Sequence, residues 1–333
     1  MAHRVLIAPD KFKGTLSAPE AAQAIATGWR QARPEDALIL QPISDGGDGF
    51  GPLMAEALDG KTITCDASNA AGQPTSTSYW LTADHTAIIE SANVIGLAML
   101  EPSQRAPFEN DSTGLGQIIL HATANGTKRL VIGIGGSATN DGGFGMARAL
   151  GWKFLDSTNT PITQWAALRQ LRSIKKTLNF SLPPVTVAVD VQNPLLGPDG
   201  CTRVYGPQKG FNETDISPAE DALKTLARTW ENQMGEAADQ LPGAGAAGGL
   251  GFGLYCFLKA DLQSGFALFA RTVRLTEKLT EADIVITGEG GMDRQTVMGK
   301  GVGELAKLAR QHDCRCLAFA GTVDDVTALE SDL

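Results

Sequence analysis

Short apolar runs, each followed by glycine or polar residues, recur along the whole chain and predict its strands. They lie at residues 5–8, 38–40, 130–134, 185–189, 284–286 and 317–320. A strand of a parallel sheet is buried on both faces, so its sequence is a continuous apolar run, and its functional loop follows its carboxyl end. The pattern therefore predicts parallel sheets whose polar loops gather at one edge.

Three apolar stripes at helical spacing predict helices between these strands. The motif Ser17-Ala-Pro-Glu20 is a capping box with proline in the first turn, and Ser217-Pro-Ala-Glu220 repeats the device. A third stripe begins at Leu115 and ends before Asn125-Gly126. Core packing is the expected role of all three stripes. Strands that alternate with helices predict an α/β protein.

The segment from about residue 60 to residue 85 has a different pattern. Its stretches 62–66, 75–80 and 86–90 are polar and rich in β-branched residues, and turn residues separate them. This pattern is typical of an antiparallel meander. The change of strand type predicts that a second domain begins here.

The composition is that of a globular chain long enough for one large or two ordinary domains. It has 333 residues, of which 43% are hydrophobic and 20% charged, and a formal net charge of −9. No basic cluster could follow a nucleic-acid backbone, so nucleic acid is not expected as a partner. An acidic protein that binds an anion needs a local positive patch or a metal ion.

Cysteine and histidine usage excludes several classes of site. Five scattered cysteines without a C-x-x-C pair predict reduced thiols instead of disulfides or a zinc site. Four histidines without ligand spacing argue against a histidine metal site or a Ser-His-Asp triad. No signal peptide and no apolar run of membrane-spanning length is found, so we expect a cytoplasmic protein without a membrane partner.

The stretch 283–300 carries the richest chemistry. An apolar β-branched run ends in Thr287-Gly-Glu-Gly-Gly291, which predicts a loop at the carboxyl end of a strand. Two carboxylates, two cations and a hydroxyl follow Gly288 within a dozen residues, namely Glu289, Asp293, Arg294, Lys300 and Thr296. Mixed charge on a glycine backbone suits a phosphate and its Mg²⁺ ion, so Gly288, Gly290 and Gly291 are candidate ligand contacts.

Candidate ligand groups also follow other predicted strands. Asp190 comes directly after an apolar run, where a carboxylate costs free energy unless it is paired or bound. Asp45 and Asp48 lie among glycines, where a functional role and a simple turn are both open. A surface role and a functional role are also both open for the three charged residues after the first strand, which are Asp10, Lys11 and Lys13.

Glycine-rich turns supply further candidates, although no Walker A sequence is present. Gly243-Ala-Gly-Ala-Ala-Gly248 does not follow a strand, so a packed helix start or an anion contact is favoured over a dinucleotide site. Lys209 lies in the stiff turn Gly206-Pro-Gln-Lys-Gly210, as either an anion contact or a solvated tip. Carboxylates and lysines at strand ends, without catalytic histidine motifs, suit phosphoryl transfer.

An ordered series of segments resembles the type I glycerate kinase family across essentially the whole chain. They are Ala8-Pro-Asp-Lys-Phe-Lys-Gly-Thr-Leu-Ser-Ala18, Ser44-Asp-Gly-Gly-Asp-Gly49, Ile134-Gly-Gly-Ser-Ala-Thr-Asn-Asp-Gly-Gly143, Asn193-Pro-Leu-Leu-Gly197, Tyr205-Gly-Pro-Gln-Lys-Gly210, Gly243-Ala-Gly-Ala-Ala-Gly-Gly249, and Thr287-Gly-Glu-Gly290 with Asp293, Gln295, Thr296, Gly299 and Lys300. The resemblance implies phosphorylation of D-glycerate by ATP with Mg²⁺, in a cleft between two α/β domains.

The implied Rossmann- or flavodoxin-like parallel-sheet domain is discontinuous. It comprises residues 1–60 and 281–333, and a second α/β domain at residues 61–280 is inserted into it. The chain departs from the family at Lys11, where many members have serine, and at Asp48 and Phe50, where Glu and Thr are common. It also ends at Leu333, where the family usually continues for another strand and helix, so a short or divergent C-terminus is expected.

The chemistry and placement of these residues predict their roles. Asp190 would deprotonate the glycerate hydroxyl, with Asp45 as the alternative, and 2-phosphoglycerate is the favoured product. The predicted phosphate-neutralising lysines are Lys13 and Lys300, and the predicted Mg²⁺ ligands are Glu289 and Asp293. The predicted ATP contacts are Gly135, Gly136, Ser137, Gly288, Gly290, Gly291 and Thr296.

Two other functions remain open from the sequence. A nicotinamide-dependent oxidoreductase requires a G-x-G-x-x-G motif after a strand with an acidic residue about 20 positions later, which the glycine clusters do not supply. A truncated, non-catalytic protein would bind ATP or glycerate without releasing ADP. The oligomeric state is not predicted.

Overall fold

The structure, a computed structural model, describes residues 2–177, 181–292, 296 and 301–324. The contacts divide the chain into two units, and both ends of the chain belong to the same one. Unit 1 is Met1–Leu58 with Ser264–Leu333, and unit 2 is Asp59–Gln263. The sequence places the second boundary between residues 280 and 281, later in the chain than the boundary between Gln263 and Ser264. The assignment of residues 1–60 and 281–333 to one domain and of residues 61–280 to an inserted domain stays a prediction.

Strands and helices alternate along much of the described part of the chain. The strands are β1 (Arg4–Ile7), β2 (Ala37–Leu40), β3 (Lys61–Ser68), β4 (Pro74–Leu81), β5 (Thr86–Glu90), β6 (Arg129–Gly133), β7 (Trp152–Leu155), β8 (Ser173–Lys176), β9 (Val185–Val189), β10 (Asp261–Ser264), β11 (Ile284–Met292) and β12 (Arg315–Val323). The helices are α1 (Ala18–Ala32), α2 (Phe50–Ala57), α3 (Ala92–Ile95), α4 (Thr113–Ala124), α5 (Phe144–Ala149), α6 (Cys201–Tyr205), α7 (Glu213–Met234), α8 (Ala246–Leu258), α9 (Gly265–Thr272), α10 (Leu275–Thr280) and α11 (Gly301–Gln311).

Unit 1 is built on a four-stranded sheet in the order β12-β11-β1-β2, and all its neighbouring strands are parallel. β1 lies between β2 and β11, so strands from the two ends of the chain pair side by side. Val5, Ile7 and Ile286 are buried and pack against Ala22 and Ala26 of α1. The apolar runs that predicted parallel strands are confirmed here.

Helix α1 begins as the sequence predicts. The side chain of Ser17 accepts a hydrogen bond from the Glu20 backbone N–H, and a Glu20 carboxylate oxygen accepts one from the Ser17 backbone N–H at 2.8 Å. These two bonds satisfy N–H groups that have no partner within the helix. The capping box therefore fixes where α1 starts.

Replacing Ser17 by alanine is expected to lower the free energy of unfolding by about 1 kcal/mol, because an N–H group of the first turn loses its acceptor. Urea denaturation of the variant and the wild type measures the difference. Ser17→Asp restores an acceptor at the same position and should retain most of the stability. A Ser17→Ala variant as stable as wild type would contradict the capping role.

Strand β11 differs from expectation at its end. The sequence predicted a loop from Thr287 onward, but β11 continues through Gly288 to Met292 and stays paired with β12 up to Val323. The prediction of a loop is wrong because β12 is long enough to supply hydrogen-bond partners along the glycines. Glycine weakens a strand without preventing its pairing.

Unit 2 contains a six-stranded mixed sheet in the order β10-β9-β6-β5-β4-β3. The pairs β3–β4 and β4–β5 are antiparallel, which confirms the predicted meander, whereas β5–β6 and β6–β9 are parallel. A separate two-stranded sheet joins β7 and β8. The core of the unit includes the fully buried side chains of Trp165, Trp230, Phe144 and Phe252.

Helix α7 begins earlier than the sequence suggested. Asn212 caps it by accepting a hydrogen bond from Thr214 N–H at 2.9 Å, and Asp215 completes a capping box. The predicted start at Ser217 is wrong, because this earlier capping box is used and Pro218 lies inside the helix. Within the described ranges, no helix has the length and apolar character needed to cross a membrane.

Candidate active site

Two carboxylates lie at the carboxyl edge of the unit 1 sheet. Asp10 follows β1, and its backbone N–H donates to the Gly288 carbonyl at 2.8 Å, which ties it to β11. Asp45 follows β2, and the chain just before it is held by a hydrogen bond from Ile43 N–H to the Pro9 carbonyl at 3.0 Å. Neighbouring parallel strands thus bring both carboxylates to one place, as expected for a functional edge.

Asp10 is only 8% exposed, so a surface role for it is excluded. Burial raises the pKa of Asp10 to about 7, the negative charges of Asp45 and Glu289 add to the shift, and Lys11 opposes it. A buried carboxylate with such neighbours is typical of a functional site. The position of Asp10 shortly after a buried strand could have identified it from the sequence, because the same feature identified Asp190.

Lys11 supplies positive charge at the same edge. Its Nζ donates to the Asp48 carbonyl at 2.9 Å. A Cβ atom on Gly47 would lie 3.0 Å from Lys11 Nζ and 3.1 Å from Asp45 Oδ1, so the two groups converge on that glycine. Lys13, the predicted phosphate-neutralising residue, is exposed nearby. Lys11 is therefore a site candidate that the sequence left undecided.

The glycines of β11 allow close contact between backbones. A Cβ atom on Gly288 would lie 2.4 Å from the Phe319 carbonyl oxygen of the neighbouring strand. One on Gly290 would lie 3.0 Å from Lys13 N. Gly291 is exposed in the strand. Close backbone packing therefore explains why Gly288 and Gly290 carry no side chain. The contact of Gly288, Gly290 and Gly291 with ATP stays a prediction.

Glu289 is oriented by a buried hydroxyl. Thr296 is 1% exposed, and its Oγ1 donates to Glu289 Oε1 at 2.8 Å. This bond fixes the orientation of the Glu289 carboxylate, whose negative charge also raises the pKa of Asp10. The other predicted members of this group, Asp293 and Lys300, lie outside the described residues.

The residues of this edge suit a magnesium ion in type. Carboxylate oxygens are the ligands that Mg²⁺ prefers, and it is usually bound by one or two of them together with phosphate oxygens and water. The described part of the chain contains no group of three or more His, Cys, Asp or Glu side chains at metal-binding separation. A site of this kind needs only one or two protein carboxylates. Glu289 and a second carboxylate would be enough to hold Mg²⁺ when phosphate oxygens and water supply its other ligands.

Unit 2 has its own polar edge, at the loop that connects β6 and α5 (residues 134–143, the β6–α5 loop). Gly136 is exposed with φ 74°, and Gly135 is half-buried. Leu97 N–H donates to the Gly136 carbonyl at 2.9 Å, and Ala138 N–H donates to the Ile95 carbonyl at 2.8 Å. The loop is therefore fixed at both sides of Ser137, which is itself buried.

Asp141 holds the far end of this loop. Its Oδ2 accepts from Ser112 N at 2.9 Å, from Ser112 Oγ at 2.7 Å and from Gly145 N at 2.8 Å, while its Oδ1 accepts from Gly143 N at 3.0 Å. Burial raises the pKa of Asp141, Asp111 adds to the shift, and these hydrogen bonds oppose it. Asp141 is a structural residue that sequence reasoning did not single out.

Asp190 lies at the carboxyl end of β9, next to β6 in the sheet. It is half-buried, as its place after an apolar run predicts. Nearby, Tyr205 Oη donates to Asn193 Oδ1 at 2.7 Å. Burial raises the pKa of Tyr205 to about 12, and the negative charge of Asp190 adds to the shift. Asp190 and the β6–α5 loop thus share one edge of the unit 2 sheet.

Two further sequence candidates in unit 2 are buried. Lys209 is 2% exposed, so the solvated-tip interpretation is wrong. The glycine-rich segment at residues 243–249 forms the packed start of α8, where Ala247, Gly248 and Gly249 have left-handed backbone conformations that kink the helix. The match of residues 243–248 to the G-x-G-x-x-G motif therefore does not form the strand–turn–helix of a dinucleotide site.

The sequence matches the model of the Glycerate kinase family over residues 5–332. The chain belongs to the glycerate kinase family. It is therefore a kinase that acts on a hydroxyl group of glycerate, and the nicotinamide-dependent alternative is excluded.

Named relatives agree with the family assignment. A glycerate kinase of Bacillus subtilis is 39% identical over 325 residues, which are 96% of this chain and 85% of that protein. A glycerate 2-kinase of Escherichia coli is 36% identical over 330 residues, which are 97% of this chain and 86% of that protein.

A solved structure confirms the fold class. The crystal structure of a glycerate kinase 2 from Salmonella typhimurium LT2 is similar with a TM-score of 0.84 at 35% identity. The match covers 100% of this chain and 94% of that one. The α/β architecture predicted from the apolar runs is therefore that of the glycerate kinase family.

Proposed function

We propose that this glycerate kinase uses ATP and Mg²⁺ and transfers the γ-phosphoryl group to D-glycerate, with 2-phosphoglycerate as the favoured product. The observation that carries the proposal is the group of Asp10, Lys11, Asp45 and Glu289 at the carboxyl edge of the unit 1 sheet. Phosphoryl transfer depends on positioning and on neutralising charge, and carboxylates with a lysine at one edge supply both. The relative from Escherichia coli, named a glycerate 2-kinase, supports the favoured position.

In this proposal, residues of unit 1 handle the phosphates. Glu289, oriented by Thr296, would hold Mg²⁺ together with Asp293, and the ion would neutralise phosphate oxygens. Lys13 and Lys300 would add positive charge. The expected nucleotide contacts are Gly288, Gly290, Gly291, Thr296, Gly135, Gly136 and Ser137. Ser137 would contact the nucleotide through its backbone, because its hydroxyl accepts a hydrogen bond from Lys209.

The proposed base is Asp190, with Asp45 as the alternative. The carboxylate accepts the proton of the glycerate hydroxyl while that oxygen forms a bond to the γ-phosphorus. The bond from this phosphorus to the bridging oxygen breaks, and ADP leaves with the electron pair. Asp190 suits the role because it is half-buried at a strand end and carries a charge that raises the pKa of Tyr205.

A coupled ADP-release assay tests the substrate and the metal. D-glycerate is expected to support turnover, whereas L-glycerate, hydroxypyruvate, tartronate and glyoxylate should support little. Removal of Mg²⁺ with a chelator should abolish ADP release, and added Mg²⁺ should restore it. Binding of ATP without ADP release in the presence of D-glycerate would instead indicate a non-catalytic protein.

A further inference from the structure

Lys209 is a buried lysine at which three segments of unit 2 meet. The first is the turn at residues 206–210 that carries it. Lys209 is 2% exposed, and its Nζ donates to the Thr139 carbonyl at 2.6 Å and to Ser137 Oγ at 3.2 Å. Both acceptors belong to the β6–α5 loop. The third segment is the kink in α8, where a Cβ atom on Gly248 would lie 2.9 Å from Lys209 Nζ and 2.0 Å from the Thr139 carbonyl oxygen.

The surroundings of Lys209 are polar and equally buried. The charged or titratable groups that act on it are the thiol of Cys201 in α6 and the carboxylate of Asp141 at the end of the loop. Asn140 is fully buried beside it and donates to Thr202 Oγ1 at 2.9 Å. Taking an ammonium group out of water costs free energy, so a chain that keeps one here must use its charge or its hydrogen bonds.

The loop that Lys209 holds has an exposed face. Gly136 is exposed and Gly135 is half-buried, while the side chain of Ser137 points to Lys209 on the buried side. A charged hydrogen bond to a loop carbonyl is stronger than a neutral one and fixes the backbone direction. Lys209 therefore fixes the position of Gly135 and Gly136 indirectly, through its hydrogen bonds to Ser137 and Thr139 on the buried side of the same loop.

We propose that Lys209 is a positioning residue of the glycerate kinase reaction, whose ammonium group holds the β6–α5 loop so that Gly135 and Gly136 can contact the anionic substrate. This inference rests on the proposed function, in which these glycines approach ATP. It assigns no direct contact between Lys209 and the substrate, because the side chain is buried beneath the loop.

The protonation of Lys209 supplies a readout that a purely structural residue would not give. Burial lowers the pKa of Lys209 from its ordinary value of 10.5 to about 8, and Cys201 and Asp141 oppose the shift. Above this pKa the neutral amine holds the loop less firmly, so activity should fall. Between the two pKa values the unfolded chain binds more protons than the folded one, so the contribution of Lys209 to stability rises with pH. Activity and stability thus change in opposite directions.

The test compares wild type, Lys209→Met and the control Lys224→Met, an exposed lysine on α7, between pH 6 and pH 10. The wild type should lose kcat/KM as the pH rises through about 8. Lys209→Met should have a kcat/KM that is lower by about 10- to 100-fold at pH 7, the scale of one hydrogen bond to a charged group, and should lack this alkaline decline. Lys224→Met should behave as wild type.

Amide hydrogen exchange of residues 135–140 gives a second measurement that does not depend on turnover. Faster exchange in Lys209→Met, or in the wild type on going from pH 7 to pH 9 after correction for intrinsic rates, supports the role of Lys209. If the variant does not fold, the wild-type profile decides, and a flat kcat/KM through pH 9.5 overturns the proposal. Unchanged exchange together with wild-type kcat/KM in a folded Lys209→Met also overturns it. Absence of ADP release by the wild type would refute the proposed function alone, because the exchange result would still stand.

Discussion

Replacing Asp190 by asparagine is expected to lower kcat by about 10²-fold or more while the chain stays folded. Asparagine keeps the shape of the side chain and removes the negative charge that would accept the proton of the glycerate hydroxyl. Because Asp190 is half-buried at the end of β9, the substitution disturbs little packing. Glycerate binding should therefore change much less than kcat.

Measurements of kcat and melting temperature on the same preparation separate a catalytic Asp190 from a structural one. Asp221→Asn, an exposed substitution on α7, is the matched control and should change neither quantity. A structural Asp190 would give a lowered melting temperature with near-normal activity in the folded fraction. An Asp190→Asn variant with full kcat would transfer the proposed role to Asp45, and Asp45→Asn would then be the variant with reduced kcat.

The second large effect is expected in stability, at Asp141. Replacing Asp141 by alanine should lower the free energy of unfolding of unit 2 by about 2–4 kcal/mol, because buried donors of Ser112, Gly143 and Gly145 lose their acceptor. The estimate is less than the sum of the individual bonds, since removing the carboxylate also removes the cost of burying it, which is the cost that raises its pKa.

Urea denaturation of Asp141→Ala, followed by tryptophan fluorescence, measures this effect. Trp165 and Trp230 are buried in the same unit, so their emission reports its unfolding. Asp221→Ala on α7 serves as the exposed control. A loss no larger than that of the control would show that the four hydrogen bonds to Asp141 contribute nothing net.

The strands of both units could be predicted from the sequence because their cause is local. The runs at residues 5–8 and 185–189 are continuous and apolar, and burial on both faces of a sheet requires that pattern. The start of α1 was equally predictable, since Ser17 and Glu20 satisfy each other across a single turn. The end of β11 was not, because it is set by pairing with β12, about 30 residues later in the chain.

The candidate site shows the same limit. The placement of Asp190 after a strand could be read from the sequence, and the same logic applies to Asp10. The burial of Lys209 could not, because it depends on the β6–α5 loop and on Gly248, both distant in sequence. A turn rich in glycine and proline predicts exposure, and tertiary packing overrides that expectation here.

Phosphorus NMR of a reaction mixture containing the protein, ATP, Mg²⁺ and D-glycerate tests the proposed reaction most directly. We expect a new phosphomonoester resonance that grows in step with ADP and couples to the single proton on carbon 2, as in 2-phosphoglycerate. Coupling to the two protons on carbon 3 would agree with phosphoryl transfer to glycerate but would show that the product is 3-phosphoglycerate, which contradicts the proposed 2-phosphoglycerate. ADP or inorganic phosphate without any phosphomonoester would contradict phosphoryl transfer to glycerate.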